Sequence, residues 1–225
     1  MSDEVVVVVG AGEGVGASVA RRFAREGYAV GLVARNQERI GAMAEGLAEE
    51  YGVPAASRAA DATDPGQLRD ALAELAGELG DPTVLCFTPL PDVRLIRPVL
   101  ETGPEYFLDS LRLNVGGAAA AVEAVLPAMR SRGVGSLLFT TGSAALQPDP
   151  ARAASAVTTT AASTYLALLH QALADTPIRV GHTVVVGPIG SGPDSHDPDD
   201  VAEDLWRHHE GTSDAFPTVL RLASS

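Results

Sequence analysis

Short runs of apolar residues alternate with amphipathic segments along most of the chain. Val5 to Val9 is an uninterrupted β-branched run ended by glycines, too short for a helix and typical of a strand buried on both faces. From Val15 to Glu26 the apolar residues recur at helical spacing, and Tyr28 to Val33 is a second short apolar run. These segments predict a β-α-β unit of about 30 residues.

The same alternation continues towards the C-terminus. Strands that alternate regularly with helices indicate a doubly wound α/β fold, with helices on both faces of a mainly parallel sheet. We therefore expect one domain over residues 1–225 with a seven-stranded sheet. The remaining predicted helices cover 37–51, 65–79, 104–130, 153–174 and a segment from 198, and the remaining strands cover 53–59, 83–87, 136–140, 178–186 and 216–222.

Composition then removes several mechanisms and partners. All 16 basic residues are arginine, because the sequence contains no lysine, so a Schiff base, a P-loop lysine and a Tyr-x-x-x-Lys pair are excluded. A net charge of −13 argues against nucleic acid and anionic membranes as partners. No apolar run reaches the length of a membrane span and no basic leader precedes the valines, so we expect a cytoplasmic protein.

A glycine-rich loop, Gly10–Gly16, separates the first predicted strand from the first predicted helix. Glycines at such a place allow a tight turn and let backbone N–H groups at a helix N-terminus approach a pyrophosphate. The loop therefore predicts a nucleotide-binding site. A tight turn that binds nothing is the alternative interpretation.

The loop resembles the short-chain dehydrogenase/reductase family, whose Gly-x-x-x-Gly-x-Gly pattern falls on Gly10, Gly14 and Gly16. The resemblance implies a single Rossmann domain that acts on a small-molecule carbonyl or alcohol. It also implies a homodimer or homotetramer built on the helices over 116–128 and 153–174. Further matching segments are Ala34–Asn36, Asp61–Asp64, Asn114, Gly135–Phe139, Ile178–Val180, 197–202 and 216–222.

The resemblance also implies cofactor contacts. Arg35 takes the position where a basic residue selects a 2′-phosphate, and Ala34 replaces the acid that would bind a free ribose hydroxyl, so NADP(H) is favoured. Glu13 would repel a phosphate, which leaves NAD(H) or no cofactor as alternatives. The residues expected to border the cofactor are Gly10, Gly14, Val15, Gly16, Arg35, Asp61, Ala62, Thr88, Gly187, Ile189 and Ser191.

The catalytic positions depart from the family's Ser, Tyr, Lys and Asn set. Thr159 stands at the tyrosine position and Ser163 at the lysine position, and neither hydroxyl titrates near neutral pH. Gly142 stands at the serine position, with Ser143 one residue late, although a shift of one residue would restore the serine. The candidate catalytic residues are Ser143, Asn114 and Thr159.

Several other polar residues are better explained by packing. We expect Tyr165 to pack in the core or between subunits, His170 to be a partly exposed helix residue, and His182 to be a hydrogen-bonded core histidine. The acids and histidines over 196–209 could hold a metal ion, but they fit the start of a helix better, and we predict no metal. The loop over 187–198 is a shortened lid and the segment with the strongest signals of mobility.

Three functions remain open at this point. The first is an NADP(H)-dependent oxidoreductase with an unusual proton donor. The second is a cyclase, isomerase or dehydratase that uses the same scaffold without redox chemistry. The third is a catalytically silent nucleotide-binding subunit.

Overall fold

The computed structural model describes residues 4–90, 93–190, 192, 194–213 and 215–222, and its seven strands form one parallel sheet. In chain order the strands are β1 (Val5–Val9), β2 (Ala29–Ala34), β3 (Ala55–Ala59), β4 (Val84–Phe87), β5 (Gly135–Gly142), β6 (Ile178–Val186) and β7 (Thr218–Arg221). They lie in the order β3-β2-β1-β4-β5-β6-β7, so the predicted doubly wound sheet is confirmed. The strand order reverses between β1 and β4, where folds of this kind bind ligands.

Helices cover both faces of the sheet, as the alternating pattern predicts. One face packs against α1, α2 and α7, and the other packs against α3, α5 and α6. None of the helices in the described part of the chain is both long enough and apolar enough to span a membrane. The helices are α1 (Val15–Arg25), α2 (Gln37–Tyr51), α3 (Pro65–Leu79), α4 (Pro104–Leu111), α5 (Ala118–Arg132), α6 (Ala153–Leu173) and α7 (Pro198–Glu210).

The valine run of β1 lies at the centre of both cores. Val5, Val7 and Val9 point into the cluster that includes Leu75 of α3. Val6 and Val8 point into the opposite cluster, which contains residues of α1 and α7. A strand covered on both faces has no polar side, which explains why this run has no alternation of polar and apolar residues.

The predicted long helix over 104–130 is divided in the structure. A π-helical segment, Arg112–Gly117, separates α4 from α5. A Cβ at Gly117 would lie 2.3 Å from the carbonyl oxygen of Ala62, so only glycine allows the segment to approach the loop after β3 so closely. Segments of this type often occur at functional sites.

Candidate functional site

The glycine loop after β1 is tightly packed at two positions and open at a third. Gly10 has a φ of +90°, and a Cβ there would lie 2.4 Å from the Cα of Pro89. A Cβ at Gly16 would lie 2.5 Å from the carbonyl oxygen of Gly10. No atom lies within 4 Å of a Cβ placed at Gly14. Gly10 and Gly16 therefore shape the loop, whereas Gly14 borders open space.

The N-terminus of α1 faces this open space. The amides of Ala17 and Ser18 donate to the carbonyl oxygens of Gly12 and Gly14, at 2.9 and 3.1 Å. Val15 and Gly16 occupy the first turn, where N–H groups have no carbonyl from a preceding helical turn. Free N–H groups and the positive end of the helix dipole together favour an anion such as a phosphate.

The charged residues around the loop have opposite signs. Arg35 follows β2, is exposed, and forms no ion pair with any residue that the structure describes. Glu13 is exposed in the glycine loop. Asn36 begins α2, and its Oδ1 accepts a hydrogen bond from the amide of Arg39 at 3.0 Å, which holds the turn that carries Arg35. Arg35 is thus available to an anionic ligand.

The loops after β3 and β4 complete this half of the site. Asp61 accepts hydrogen bonds from the amide and the hydroxyl of Thr63, at 2.9 and 2.8 Å, which fixes the loop on which Ala62 meets Gly117. Thr88 is buried, and its amide donates to the carbonyl oxygen of Val9 at 2.9 Å. The parallel topology therefore places the predicted contacts after β1, β2, β3 and β4 at one edge of the sheet.

Asn114 lies in the π-helical segment and belongs to a buried polar cluster. Its Nδ2 donates to the hydroxyl oxygens of Thr158 and Ser110, at 2.9 and 3.2 Å. Those two hydroxyls are 2.9 Å apart, and both residues are buried. The cluster attaches the π-helical segment to α6, so Asn114 has a structural role here whatever else it does.

The two α6 residues that the sequence predicts at the tyrosine and lysine positions are poorly suited to proton transfer. Thr159 is 7% exposed, and its hydroxyl donates to the carbonyl oxygen of Ser155 at 2.7 Å. Ser163 lies one turn further along the helix, and its hydroxyl oxygen is buried without a hydrogen-bond partner. The hydroxyl proton of Thr159 is thus already donated within the helix.

Hydroxyl groups remain at the end of β5. The strand extends to Gly142, and Ser143 begins a short 3₁₀ turn over Ser143–Ala145. The amides of Leu146 and Gln147 donate to the carbonyl oxygen of Ser143, while its hydroxyl makes no hydrogen bond within the described part of the chain. Two residues earlier, the hydroxyl of Thr141 lies 2.8 Å from Nε2 of His182.

The short loop after β6 folds back on itself. Gly187 has a φ of +122°, and Ile189 pairs with His196 in an isolated β-bridge. His196 is buried, and its Nε2 lies 3.0 Å from the carbonyl oxygen of Val186. Gly187 and Ile189 therefore lie at the carboxyl edge, as predicted. Ser191 lies outside the described residues.

Four of the acids and histidines over 196–209 have other partners. Asp197 caps α7 by accepting from the amide of Asp199, and Asp199 pairs with Arg21 at 3.3 Å. His208 lies 3.0 Å from the hydroxyl of Thr218, and His209 lies 2.8 Å from the hydroxyl of Tyr28. In the described residues, no three His, Cys, Asp or Glu side chains come close enough together to hold a metal ion.

Two residues were missed by the sequence interpretation. The family pattern points to Gly142 and Ser143 and does not predict the contact of Thr141 with His182. Gly117 was missed because its importance depends on the contact with Ala62, which is distant along the chain. The alternation along β5 could have identified Thr141 as sharing a face with Phe139.

Comparison with known proteins settles the family. A sequence model of the family described as short chain dehydrogenase matches residues 4–193. The chain belongs to the short-chain dehydrogenase family. The uncharacterized oxidoreductase YciK of Escherichia coli K12 is 27% identical over 154 residues, covering 65% of this chain and 59% of that protein. The human inactive hydroxysteroid dehydrogenase-like protein 1 is 26% identical over 152 residues, covering 66% and 44%. The chain thus spans under two thirds of either relative.

Solved structures of short-chain oxidoreductases share the whole fold. A Pseudomonas aeruginosa PAO1 enzyme, described in an NADPH-bound structure as containing an atypical catalytic center, matches with a TM-score of 0.87 and 20% identity, covering 99% of this chain and 97% of that chain. The L-sorbose reductase of Gluconobacter frateurii, in complex with NADPH and L-sorbose, matches with a TM-score of 0.85 and 20% identity, covering 99% and 98%. These likenesses establish the short-chain dehydrogenase fold.

Proposed function

We propose that the protein is an NADP(H)-dependent oxidoreductase that acts on a small carbonyl or alcohol. The observation that carries this proposal is the open glycine loop beside an arginine that forms no ion pair with any described residue. Gly14 borders free space at the N-terminus of α1, and Arg35 lies after the adjacent strand, β2. The structural neighbours from Pseudomonas aeruginosa and Gluconobacter frateurii that contain NADPH support this choice of nucleotide.

The residues present fit a dinucleotide. The amides of Val15 and Gly16 would bind the pyrophosphate, and the guanidinium of Arg35 would bind the 2′-phosphate. Asp61 and Ala62 would border the adenine, and Thr88, Gly187 and Ile189 would follow the cofactor towards the nicotinamide. Ala34, the last residue of β2, stands where an acidic side chain would bind a free ribose hydroxyl.

A bound nicotinamide would supply the hydride chemistry, so the protein's own residues have to place the substrate and move one proton. The position of the family tyrosine does not serve this purpose, because the hydroxyl of Thr159 donates within α6. Ser143 remains a candidate for orienting the substrate oxygen, because its hydroxyl has no partner in the described residues. The proton would then come from water or from the substrate, with Ser143 holding the substrate oxygen.

The test is a stoichiometric assay against a panel of aldehydes, ketones and their alcohols. We expect oxidation of NADPH, or reduction of NADP⁺, in a one-to-one ratio with product. Loss of general acid catalysis typically lowers rates by about 10² to 10⁴, so slow turnover is consistent with the proposal. Product formation without any change in nicotinamide would instead favour a cyclase, isomerase or dehydratase.

A silent nucleotide-binding subunit is the second candidate. The altered positions on α6 and the similarity to a human relative described as inactive support it. The two candidates differ in one respect, since both predict NADPH binding but only the first predicts turnover. Tight binding of NADPH without turnover across the whole panel would favour the silent subunit.

We also propose that the protein forms a homodimer or homotetramer through α5 and α6. The exposed face of α6 carries Val157, Thr160, Thr164 and Leu168, and no charged side chain interrupts it. Its small and apolar residues would allow close packing against a second copy. Sedimentation equilibrium tests this proposal, and a monomer at all protein concentrations would contradict it.

A further inference from the structure

The imidazole ring of one buried histidine has a single hydrogen-bond partner among the described residues, and that partner is a hydroxyl near the carboxyl edge of the sheet. His182 on β6 is 1% exposed, and its Nε2 lies 2.8 Å from the hydroxyl oxygen of Thr141 on β5. Its other ring nitrogen, Nδ1, is buried without a hydrogen-bond partner in the described residues. Buried polar groups in proteins are nearly always hydrogen-bonded. The unpaired Nδ1 and the single bond to Thr141 therefore suggest that His182 does more than fill the core.

Sheet geometry places this pair below the substrate side of the site. Phe139 is opposite His182 in the parallel register, so Thr141 lies two residues nearer the carboxyl edge, on the same face as Phe139. Phe139 packs in the cluster that contains residues of α5 and α6. The face that carries Thr141 is therefore the face covered by the helix with the altered catalytic positions.

Thr141 also extends beyond the neighbouring strand. The last residue of β4, Phe87, pairs with Phe139, so β5 continues past β4 and ends at Gly142 beside Ser143. Thr141 is partly exposed, in contrast to the fully buried ring below it. Its hydroxyl can thus contact the buried imidazole on one side and a ligand at the sheet edge on the other.

We propose that Thr141 is the catalytic hydroxyl that binds the reacting oxygen of the substrate, and that His182 positions this hydroxyl and exchanges its proton. The inference rests on the oxidoreductase function proposed above. It assigns the proton step to β5 and β6 instead of to α6. Thr141 is the group that contacts substrate, and His182 acts through it.

The groups around His182 keep the ring neutral near pH 7. Burial, with a smaller contribution from the charge of His208, lowers the pKa of His182 to about 4. The carboxylate of Asp204 pairs with Arg207 and lies 3.8 Å from Nε2 of His208, and it accepts hydrogen bonds from the hydroxyls of Thr183 and Thr218. The ring of His170 stacks on Phe216, whose ring centroid lies 5.9 Å from that of His182. A neutral imidazole beside a hydroxyl can accept a proton.

The proton transfer balances in both directions. During alcohol oxidation, the substrate O–H proton passes to Oγ1 of Thr141 while the proton of Thr141 passes to Nε2 of His182. A bound oxidised nicotinamide would accept the hydride from the substrate carbon. His182 becomes an imidazolium, which later returns its proton to solvent. In carbonyl reduction the imidazolium supplies the proton through Thr141, so the reductive direction is favoured at acidic pH.

Substitution at Thr141 tests the proposal by activity. Thr141→Val keeps the shape of the side chain and removes the hydroxyl, so we expect kcat to fall by about 100-fold or more, and Thr141→Ser to restore most of it. Thr212→Val, which removes an exposed hydroxyl at the end of α7, is the matched control. His182→Gln should flatten the pH profile of kcat. A larger loss in Ser143→Ala than in Thr141→Val would overturn the proposal.

A spectroscopic measurement decides the question without turnover. In protein with ¹⁵N-labelled histidine, we expect the Nε2 signal of His182 to shift when trifluoroethanol, a poorly oxidised alcohol, is added with NADP⁺. The shift should disappear in Thr141→Val and persist in Thr212→Val. An equal shift in Thr141→Val would refute proton transfer between Thr141 and His182. Failure of NADP⁺ to bind would refute the proposed function. The alcohol-dependent shift is also recorded without NADP⁺, so it tests the contact of Thr141 and His182 with the substrate oxygen independently of the cofactor.

Discussion

The two halves of the carboxyl edge are built by different kinds of contact. The half formed by β1, α1 and β2 depends on glycine backbone packed against backbone, as at Gly10 and Gly16, and it leaves one anion-binding helix end open. The half formed by β5, α6 and β6, with the end of α4 and the π-helical segment, depends on hydrogen bonds between side chains. One set joins Ser110, Asn114 and Thr158, and a separate pair joins Thr141 and His182. The first half contains the glycine spacing that resembles the family pattern, whereas the sequence has no lysine to supply the family's basic residue in the second.

This difference shows which part of the site tolerates sequence change. A backbone surface that binds phosphate needs particular glycines, and a side chain at Gly10 would collide with Pro89. A proton relay needs only a hydroxyl and a titratable group in contact, and several residue pairs can provide them. Cofactor binding and proton transfer can therefore change independently in one fold.

The largest expected effect comes from substitutions in the glycine loop, where Gly10 supports the fold and Gly14 leaves space for the cofactor. Gly10→Ala would impose a left-handed backbone on an L-residue and a collision with Pro89, so we expect loss of at least about 2 kcal/mol of unfolding free energy and loss of NADPH binding. Gly14→Ala has open space around its Cβ and should keep the stability while weakening NADPH binding at least about tenfold. Thermal denaturation and calorimetric titration measure both. Equal losses of unfolding free energy in Gly10→Ala and Gly14→Ala would contradict the conclusion that Gly10 shapes the loop and Gly14 borders open space.

Removal of Arg35 tests the choice of nucleotide. Arg35→Ala should weaken NADPH binding about 10- to 100-fold and leave NADH binding nearly unchanged, because only NADPH carries the 2′-phosphate. Arg130→Ala, an exposed arginine in the last turn of α5, removes the same charge far from the loop and serves as the control. Parallel losses for both nucleotides in Arg35→Ala would argue against a phosphate contact.

Acid should lower the unfolding free energy of the protein through His182, which lies in the half of the carboxyl edge formed by β5, α6 and β6. The pKa of His182 is lowered in the folded protein from the ordinary value of 6.5 to about 4, so its contribution to stability is present above pH 6.5 and is lost as the pH falls towards 4. We expect about 2 kcal/mol less unfolding free energy at pH 5 than at pH 7 from this group. Urea denaturation of the wild type and His182→Gln measures the difference. An identical pH dependence in the two proteins would contradict it.

The smallest expected effect concerns Glu13. Its exposed carboxylate would lie near the cofactor phosphates, so Glu13→Gln should strengthen NADPH binding by about two- to threefold at low salt and by less at high salt. Titration at two ionic strengths measures the change. Weaker binding in the variant would show that Glu13 assists the cofactor, contrary to the repulsion inferred from its charge.

The sheet and its helices were predictable because periodicity follows from burial. The β1 valines and the spacing along α1 lead directly to the observed elements, and the end of β5 was misplaced by only two residues. The π-helical segment was not predictable, because Arg112–Gly117 keeps helical spacing and its geometry depends on the contact between Gly117 and Ala62. The contact between Thr141 and His182 depends in the same way on the strand register, which the family alignment does not contain.

The most direct test of the account is a calorimetric titration of the wild-type protein with NADPH and with NADH under identical conditions. The account predicts one NADPH bound per chain, at least about tenfold more tightly than NADH, because the open end of α1 and the guanidinium of Arg35 bind separate phosphates. Equal affinity for the two nucleotides would contradict the role of Arg35, and no binding of either would contradict the nucleotide site itself.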